Sequence, residues 1–369
     1  MRRRVLIQGA CAAAAASFGV VSASGRLRVG IPLPFTGVQA EVAADLRAGY
    51  EMAFAQAGRL GLAVEPVWAD DLAQPDKTAM LVDSFARDPS FVATSGIVGT
   101  PHAKAALPLA RRGALPVVGI RSGAVELRDG KPGVYHLRAS FTDELTAIVR
   151  VISGATLQRL AVVYSDDAFG KAAMAHVVQI APSLGVSVVT NVPAERSGKD
   201  ILEAVDRAVD PTQKPGALLL LVLEGPMLRA AEHARTRRLF KHPMFCMSFC
   251  ATRRLADAQD SYLEGLGLMS AFPLPRTALS PLAEGFRAVA ADWHRPGVVT
   301  SLTSLVGYIS GSVRLRALQQ PPEVSRQGLV SALAVPRSVG GVQVAFDESK
   351  VGFRYLQLVY KSRSGVLRA

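Results

Sequence analysis

The chain has 369 residues, 49% of them hydrophobic, with a mean hydropathy of +0.24 and a formal charge of +12. This composition excludes a disordered chain and suits two domains better than one, at roughly 100–200 residues per domain. After residue 25 no run of Lys or Arg exceeds a pair such as Arg237-Arg238, and no aromatic-interleaved basic motif occurs, so nucleic acid is not an expected partner.

Residues 1–25 have the outline of a cleaved secretory signal peptide: Arg2, Arg3 and Arg4, then an alanine-rich apolar stretch, then small residues at Val21-Ser22-Ala23. The arginines also resemble a twin-arginine leader, which leaves the export route open. Cys11 lacks the aliphatic residue three positions earlier that a lipid anchor would need, since Gln8 stands there. No later run reaches about 18 apolar residues, so an exported, periplasmic product is expected. On one strand Cys246 and Cys250 would lie about 13 Å apart, too far to bridge, and are read as buried free thiols.

From residue 26 the pattern predicts strands at Leu27–Leu33, Ala63–Trp68, Phe91–Val98, Pro116–Ile120 and Gly133–Arg138. Helices are predicted between them at Val42–Gln56, Asp76–Ala86 and Pro101–Arg112. A second series starts with a helix at Thr142–Ser153. The stretch Leu160 to Lys171 then reads as a buried strand, a polar turn and a helix capped by Asp166 or Asp167. Strands follow at Val186–Val192, Leu218–Leu223, Met244–Phe249 and Leu266–Phe272, with helices at Asp200–Val209 and Met227–Arg238. Two runs of alternating strand and helix imply an α/β protein with two doubly wound parallel sheets.

The tail departs from strict alternation. Three helices are predicted at Pro281–Trp293, Leu302–Gln319 and Ser325–Leu333, then a strand pair at Val342–Phe346 and Phe353–Val359. The expected division is residues 26–140 plus 273–340 in one lobe and 141–272 plus 341–369 in the other, joined by a hinge of several strands.

In this order the segments resemble the branched-chain amino-acid-binding type of periplasmic solute-binding protein, the type I fold of ABC importers. The matching pieces are Gly30 to Gly37, Ser95 to Gly99, Leu115 to Val118, Val162 to Gly170, Gly307-Tyr308 and Val344 to Asp347. The resemblance implies two lobes that close on a ligand without performing chemistry, handing it to an ABC permease in the inner membrane. It places the ligand at loops beyond the strands' carboxyl ends, as open parallel sheets generally do.

Carried onto this sequence, the first such loop holds Thr100, Pro101 and His102, where free helix N–H groups suit a carboxylate. The second holds Arg121, Ser122 and Gly123, with Arg121 placed to pair with an anion. From the second lobe come Phe169 against the ligand, Glu224 and Ser248. Ser248 lies close to where related amino-acid binders keep a carboxylate for the ligand ammonium. That carboxylate is not obvious here, and an aromatic expected after the first strand is also missing, near Glu41 and Val42. A small polar ligand is expected, a carboxylate or amino acid, with an amide also permitted.

Catalysis is not expected. The six histidines never fall three or four residues apart, no Gly-x-Ser-x-Gly elbow or phosphate-binding loop occurs, and Asp70-Asp71 and Asp166-Asp167 read as turn residues. No cofactor or metal is expected, and the protein is expected to be a monomer. The alternative function is a periplasmic sensor of amides or organic acids that signals to a receptor.

Overall fold

The computed structural model describes residues 27–37, 39–293, 300–319 and 325–369. The expected leader, with Cys11, lies outside the described residues. The first lobe opens with β1 (Leu27–Leu33), α1 (Ala40–Phe54), β2 (Val64–Asp70), α2 (Pro75–Arg87) and β3 (Phe91–Thr94). It continues through α3 (Thr100–Arg112), β4 (Val117–Val118) and β5 (Val134–Tyr135).

The second lobe holds α4 (Phe141–Gly154), β6 (Arg159–Ser165), α5 (Ala168–Ile180), β7 (Ser187–Ala194) and α6 (Ile201–Ala208). After these come β8 (Ala217–Leu221), α7 (Glu224–Thr236), β9 (Met244–Met247), α8 (Arg253–Asp257) and β10 (Leu266–Ser270). The chain returns to the first lobe for α9 (Pro281–Asp292), α10 (Leu302–Leu318), α11 (Arg326–Leu333), β11 (Arg337–Val339) and β12 (Val342–Val344). It ends in the second lobe with β13 (Gln357–Lys361) and β14 (Leu367–Arg368).

Sheet order is β2-β1-β3-β4-β5 in the first lobe and β14-β13-β10-β9-β8-β6-β7 in the second. Within these two sheets all pairs are parallel except those made by β13, which runs antiparallel to β10 and β14. Both sheets carry apolar packing on each face, which is why β8 reads Ala-Leu-Leu-Leu-Leu without alternation. Three crossings join the lobes, after β5, after β10 and before β13. The first and last are tied together: His136 N donates to the Lys350 carbonyl at 2.8 Å, and Gly352 N to the His136 carbonyl at 2.9 Å.

Local chemistry sets the element ends. Asp167 Oδ1 accepts from Gly170 N at 2.9 Å and caps α5, while Asp166 pairs with Lys171 Nζ at 2.7 Å. Ser140 with Asp143, and Ser301 with Ser304, form capping boxes on α4 and α10. Arg326 donates to the carbonyls of Phe85, Ala86, Asp88, Phe91 and Gly113, gathering the negative ends of α2 and α3. Cys246 and Cys250 are free and buried.

The tail differs from the expected strand pair. β12 pairs with β11 across Gly340-Gly341, whose φ of 56° and 77° suits a tight hairpin turn. β13 instead finds β10 in the other lobe. Val339, Val344 and Phe353 pack into the first lobe's core, so the chain after residue 341 stays there as far as Phe353 before crossing.

Candidate functional site

A cleft of about 530 Å³, its mouth included, lies between the lobes. The ends of β4, β9 and β10, the first crossing strand and one face of α10 meet there. Arg121, past the end of β4, contributes a half-buried guanidinium. No hydrogen bond or ion pair holds it among the described residues, while its backbone N–H is fixed to the Ile97 carbonyl at 2.9 Å. Burial, then the neighbouring Arg138, lowers its pKa to about 10, against the attraction of Glu224 and Asp45; it remains a cation near neutrality.

Arg138, on the first crossing strand, lies beneath in an engaged state. Its Nη2 donates to Glu144 Oε1 and to Ser248 Oγ, the latter at 2.8 Å. Ser248 in turn donates from Oγ to Glu144 Oε1 at 3.0 Å and from its backbone N to Oε2 at 3.2 Å. Burial raises the Glu144 carboxyl, opposed by Arg138 and Ser248. The carboxylate beside Ser248 is therefore already closed on a guanidinium.

Two further carboxylates stand near Arg121, and both are engaged. Glu224 Oε1 accepts from Thr252 Oγ1 and from Leu255 N, with burial raising its carboxyl against those bonds. Asp45 accepts from Ser301 Oγ at 2.7 Å and is likewise raised by burial.

A second, smaller cleft of about 350 Å³, its mouth included, adjoins, lined by Thr100 and Val125 of the first lobe and Phe141 and Phe169 of the second. Thr100 Oγ1 and Ser122 Oγ bond to each other at 2.9 Å. Phe169 sits in an edge-to-face trio with Phe141 and Phe249, ring centroids 5.3–5.7 Å apart, and Phe249 also lines the main cleft.

Of the residues singled out from sequence, Arg121 and Ser248 line the main cleft, and Thr100 and Phe169 the adjoining one. Pro101 is exposed at the start of α3, and His102 is turned inward with neither ring nitrogen bonded. Gly123 packs against the Phe141 ring, where a Cβ would come within 2.6 Å, and Glu224 is held away by Thr252. Pro101, His102, Ser122, Gly123 and Glu224 line neither cavity, Ser122 reaching the smaller one only through its bond to Thr100.

Sequence reasoning missed Arg138, Glu144, Thr303 and Ser310. The one signal available for the last two was hydroxyls at seven-residue spacing on a helix otherwise apolar enough to be buried all round. Among the described residues no cluster of His, Cys, Asp and Glu suits a metal ion, and no helix is long and apolar enough to cross a membrane.

A family model described as periplasmic binding protein matches residues 26–344. The chain belongs to this periplasmic family, whose members are solute-binding proteins rather than enzymes. An extracellular ligand-binding receptor from Verminephrobacter eiseniae shares the fold with a TM-score of 0.84 at 22% identity, covering 94% of this chain and 100% of that one. A possible leucine/isoleucine/valine-binding protein from Rhodopirellula baltica aligns with a TM-score of 0.83 at 21% identity, covering 93% and 96%. A solute-binding protein of an ABC transporter from Rhodopseudomonas palustris, in complex with 3,4-dihydroxybenzoic acid, gives 0.80 at 18%, also covering 93% and 96%. No curated protein matches the chain.

Proposed function

We propose that this chain is the exported solute-binding protein of an ABC importer and captures a small carboxylate or amino acid between its lobes by hinge closure. Residues 1–25 act as the cleaved leader, and the protein works as a monomer that presents its closed form to an inner-membrane permease. The observation that carries the proposal is the unpaired Arg121 guanidinium in the interlobe cleft, a charge-assisted anchor for an anion. Thr100, Ser122 and Phe169 shape the adjoining end of the site. Ligand that touches both lobes only when they approach stabilises the closed form by that differential affinity.

The neighbours from Rhodopirellula baltica and Rhodopseudomonas palustris support ligands of this size, one named for branched-chain amino acids and one holding an aromatic acid. A thermal-shift screen of amino acids, aromatic acids, dicarboxylates and amides tests the proposal. A true ligand at 100 times its Kd adds about 2.7 kcal/mol of stability. If no carboxylate and no amino acid raises the melting temperature, the proposal falls. Co-purification with a permease supports import, and co-purification with a receptor ectodomain points to sensing instead.

A further inference from the structure

Among the described residues two hydroxyls on α10 have no hydrogen-bond partner, although both are almost completely buried. Thr303 is 2% exposed and Ser310 is 1% exposed, and neither Oγ makes a hydrogen bond. Ser310, deep in the helix, ordinarily has its own i−4 carbonyl within reach, and buried polar groups are almost always bonded. Both residues line the main cleft, with Val306 between them. Positions 303, 306 and 310 fall on one helix face, and seven residues span about 10.5 Å along the axis. The cleft therefore meets a polar, apolar, polar stripe. Ser310 Oγ also rests against Gly119, where a Cβ would come within 2.4 Å, so a larger residue at 119 would cover it.

The remaining surroundings define what these hydroxyls await. Leu137, Phe249, Phe272, Leu302 and Ile309 supply apolar walls. Arg121 is the free charge, and Glu144, Glu224 and Asp45 are already bonded. An ammonium group here would meet two guanidinium groups and no open carboxylate.

We propose that Thr303 and Ser310 are specificity-determining residues that read an oxygen substituent on the ligand, making the site selective for hydroxylated aromatic monocarboxylates over α-amino acids. This rests on the cleft being the carboxylate site, with Arg121 holding the carboxylate. The apolar walls take the ring, and the α10 hydroxyls bond the ring hydroxyl, donating to it or accepting from it. A site built to bond a ligand hydroxyl discriminates against the analogue that lacks it, because its own buried groups then stay unpaired.

Isothermal titration calorimetry of the purified protein with benzoate, 3-hydroxybenzoate, 4-hydroxybenzoate and leucine tests this. At least one hydroxybenzoate is expected to bind about 10-fold more tightly than benzoate, and leucine more weakly than either. In the Thr303→Val/Ser310→Ala double variant the margin over benzoate should shrink to within about two-fold. Both single variants are measured alongside, with melting curves to confirm folding. A margin that survives in the double variant overturns the proposal, as does benzoate binding as well as its hydroxylated forms. Leucine binding most tightly overturns it while leaving the carboxylate or amino-acid site intact. Failure of all four ligands to bind overturns this proposal alone; the carboxylate or amino-acid reading falls only if the wider thermal-shift screen is also negative.

Discussion

Arg253, on α8 of the second lobe, donates from Nε to Glu41 Oε1 on α1 of the first lobe at 2.8 Å. One helical turn further on, Asp45 lies 3.9 Å from its Nη1. The pair spans the seam between lobes, so it exists only while they are close and weights the hinge toward closure. Both side chains are solvent-accessible, which limits such a contact to about 0.2–1 kcal/mol. Arg253→Ala should therefore weaken ligand binding by no more than about five-fold, mainly through faster release. In 1 M salt the native protein should approach the variant, because the Debye length falls to about 3 Å. Stopped-flow release rates at low and high salt check this; identical rates at low salt would remove the latch.

The contact between α1 and α10 fixes the wall that carries Val306 and Ser310. A Cβ on Gly307 would stand 2.3 Å from the Leu46 carbonyl oxygen, and one on Gly49 would stand 1.9 Å from that of Ser304. Only glycine lets the helices approach so closely. Gly307→Ala should separate them and destabilise the protein by about 2–3 kcal/mol, as overpacked cores generally are. Gly154→Ala, at the end of α4 with nothing within 4 Å, should shift stability by no more than about 1 kcal/mol in either direction. Urea denaturation of the two variants separates close approach from a general intolerance of alanine.

His136, on the first crossing between the lobes, gives folding stability a pH dependence of predictable sign. It is 1% exposed, and its Nε2 donates to the Leu127 carbonyl at 3.1 Å. Burial, reinforced by Arg128 and Arg111 and opposed by Asp129 and the Leu127 bond, lowers its pKa to about 3. The unfolded chain protonates this histidine near its ordinary value of about 6.5, so between these values the unfolded state binds the extra proton. The stabilisation is complete above about 6.5 and declines by at most about 1.4 kcal/mol per pH unit on acidification toward 3. Denaturation from pH 7 to pH 4 should show that slope reduced in His136→Gln relative to the native protein.

The alternation of strand and helix was legible because period and turn chemistry are local, and Asp167 capped its helix as one of two stated choices. The tail was not legible. Val342–Val344 and Gln357–Lys361 are equally apolar strands joined by a polar stretch, which reads as a hairpin. Their actual partners depend on the Gly340-Gly341 turn and on a free edge of β10 in another lobe. The same limit governs the site. Arg121 and Ser248 were found because loops at strand ends could be located, whereas Arg138 meets Ser248 across 110 positions of sequence. No local pattern marks Glu144 as consumed by that pair. Nor does one distinguish Thr303 and Ser310, which face the cleft, from Ser304, which closes a capping box one residue away.

If the cleft binds anions as proposed, Arg121 is the group that anchors them. Its guanidinium has burial and the repulsion of Arg138 to overcome, with no acceptor bonded to it among the described residues. A carboxylate supplies both the missing charge and the missing acceptors, and such charged hydrogen bonds are worth about 1.5–3 kcal/mol. Arg121→Gln keeps a donor of similar reach but removes the charge, so carboxylate affinity should fall about 10- to 100-fold. The unliganded melting temperature should hold or rise, since a half-buried cation without a bonded acceptor is removed. Because the group titrates only near 10, native affinity should stay flat from pH 6 to about pH 9. Calorimetry across that range, on both proteins, sets the outcome: undiminished binding by Arg121→Gln would place the anchor elsewhere.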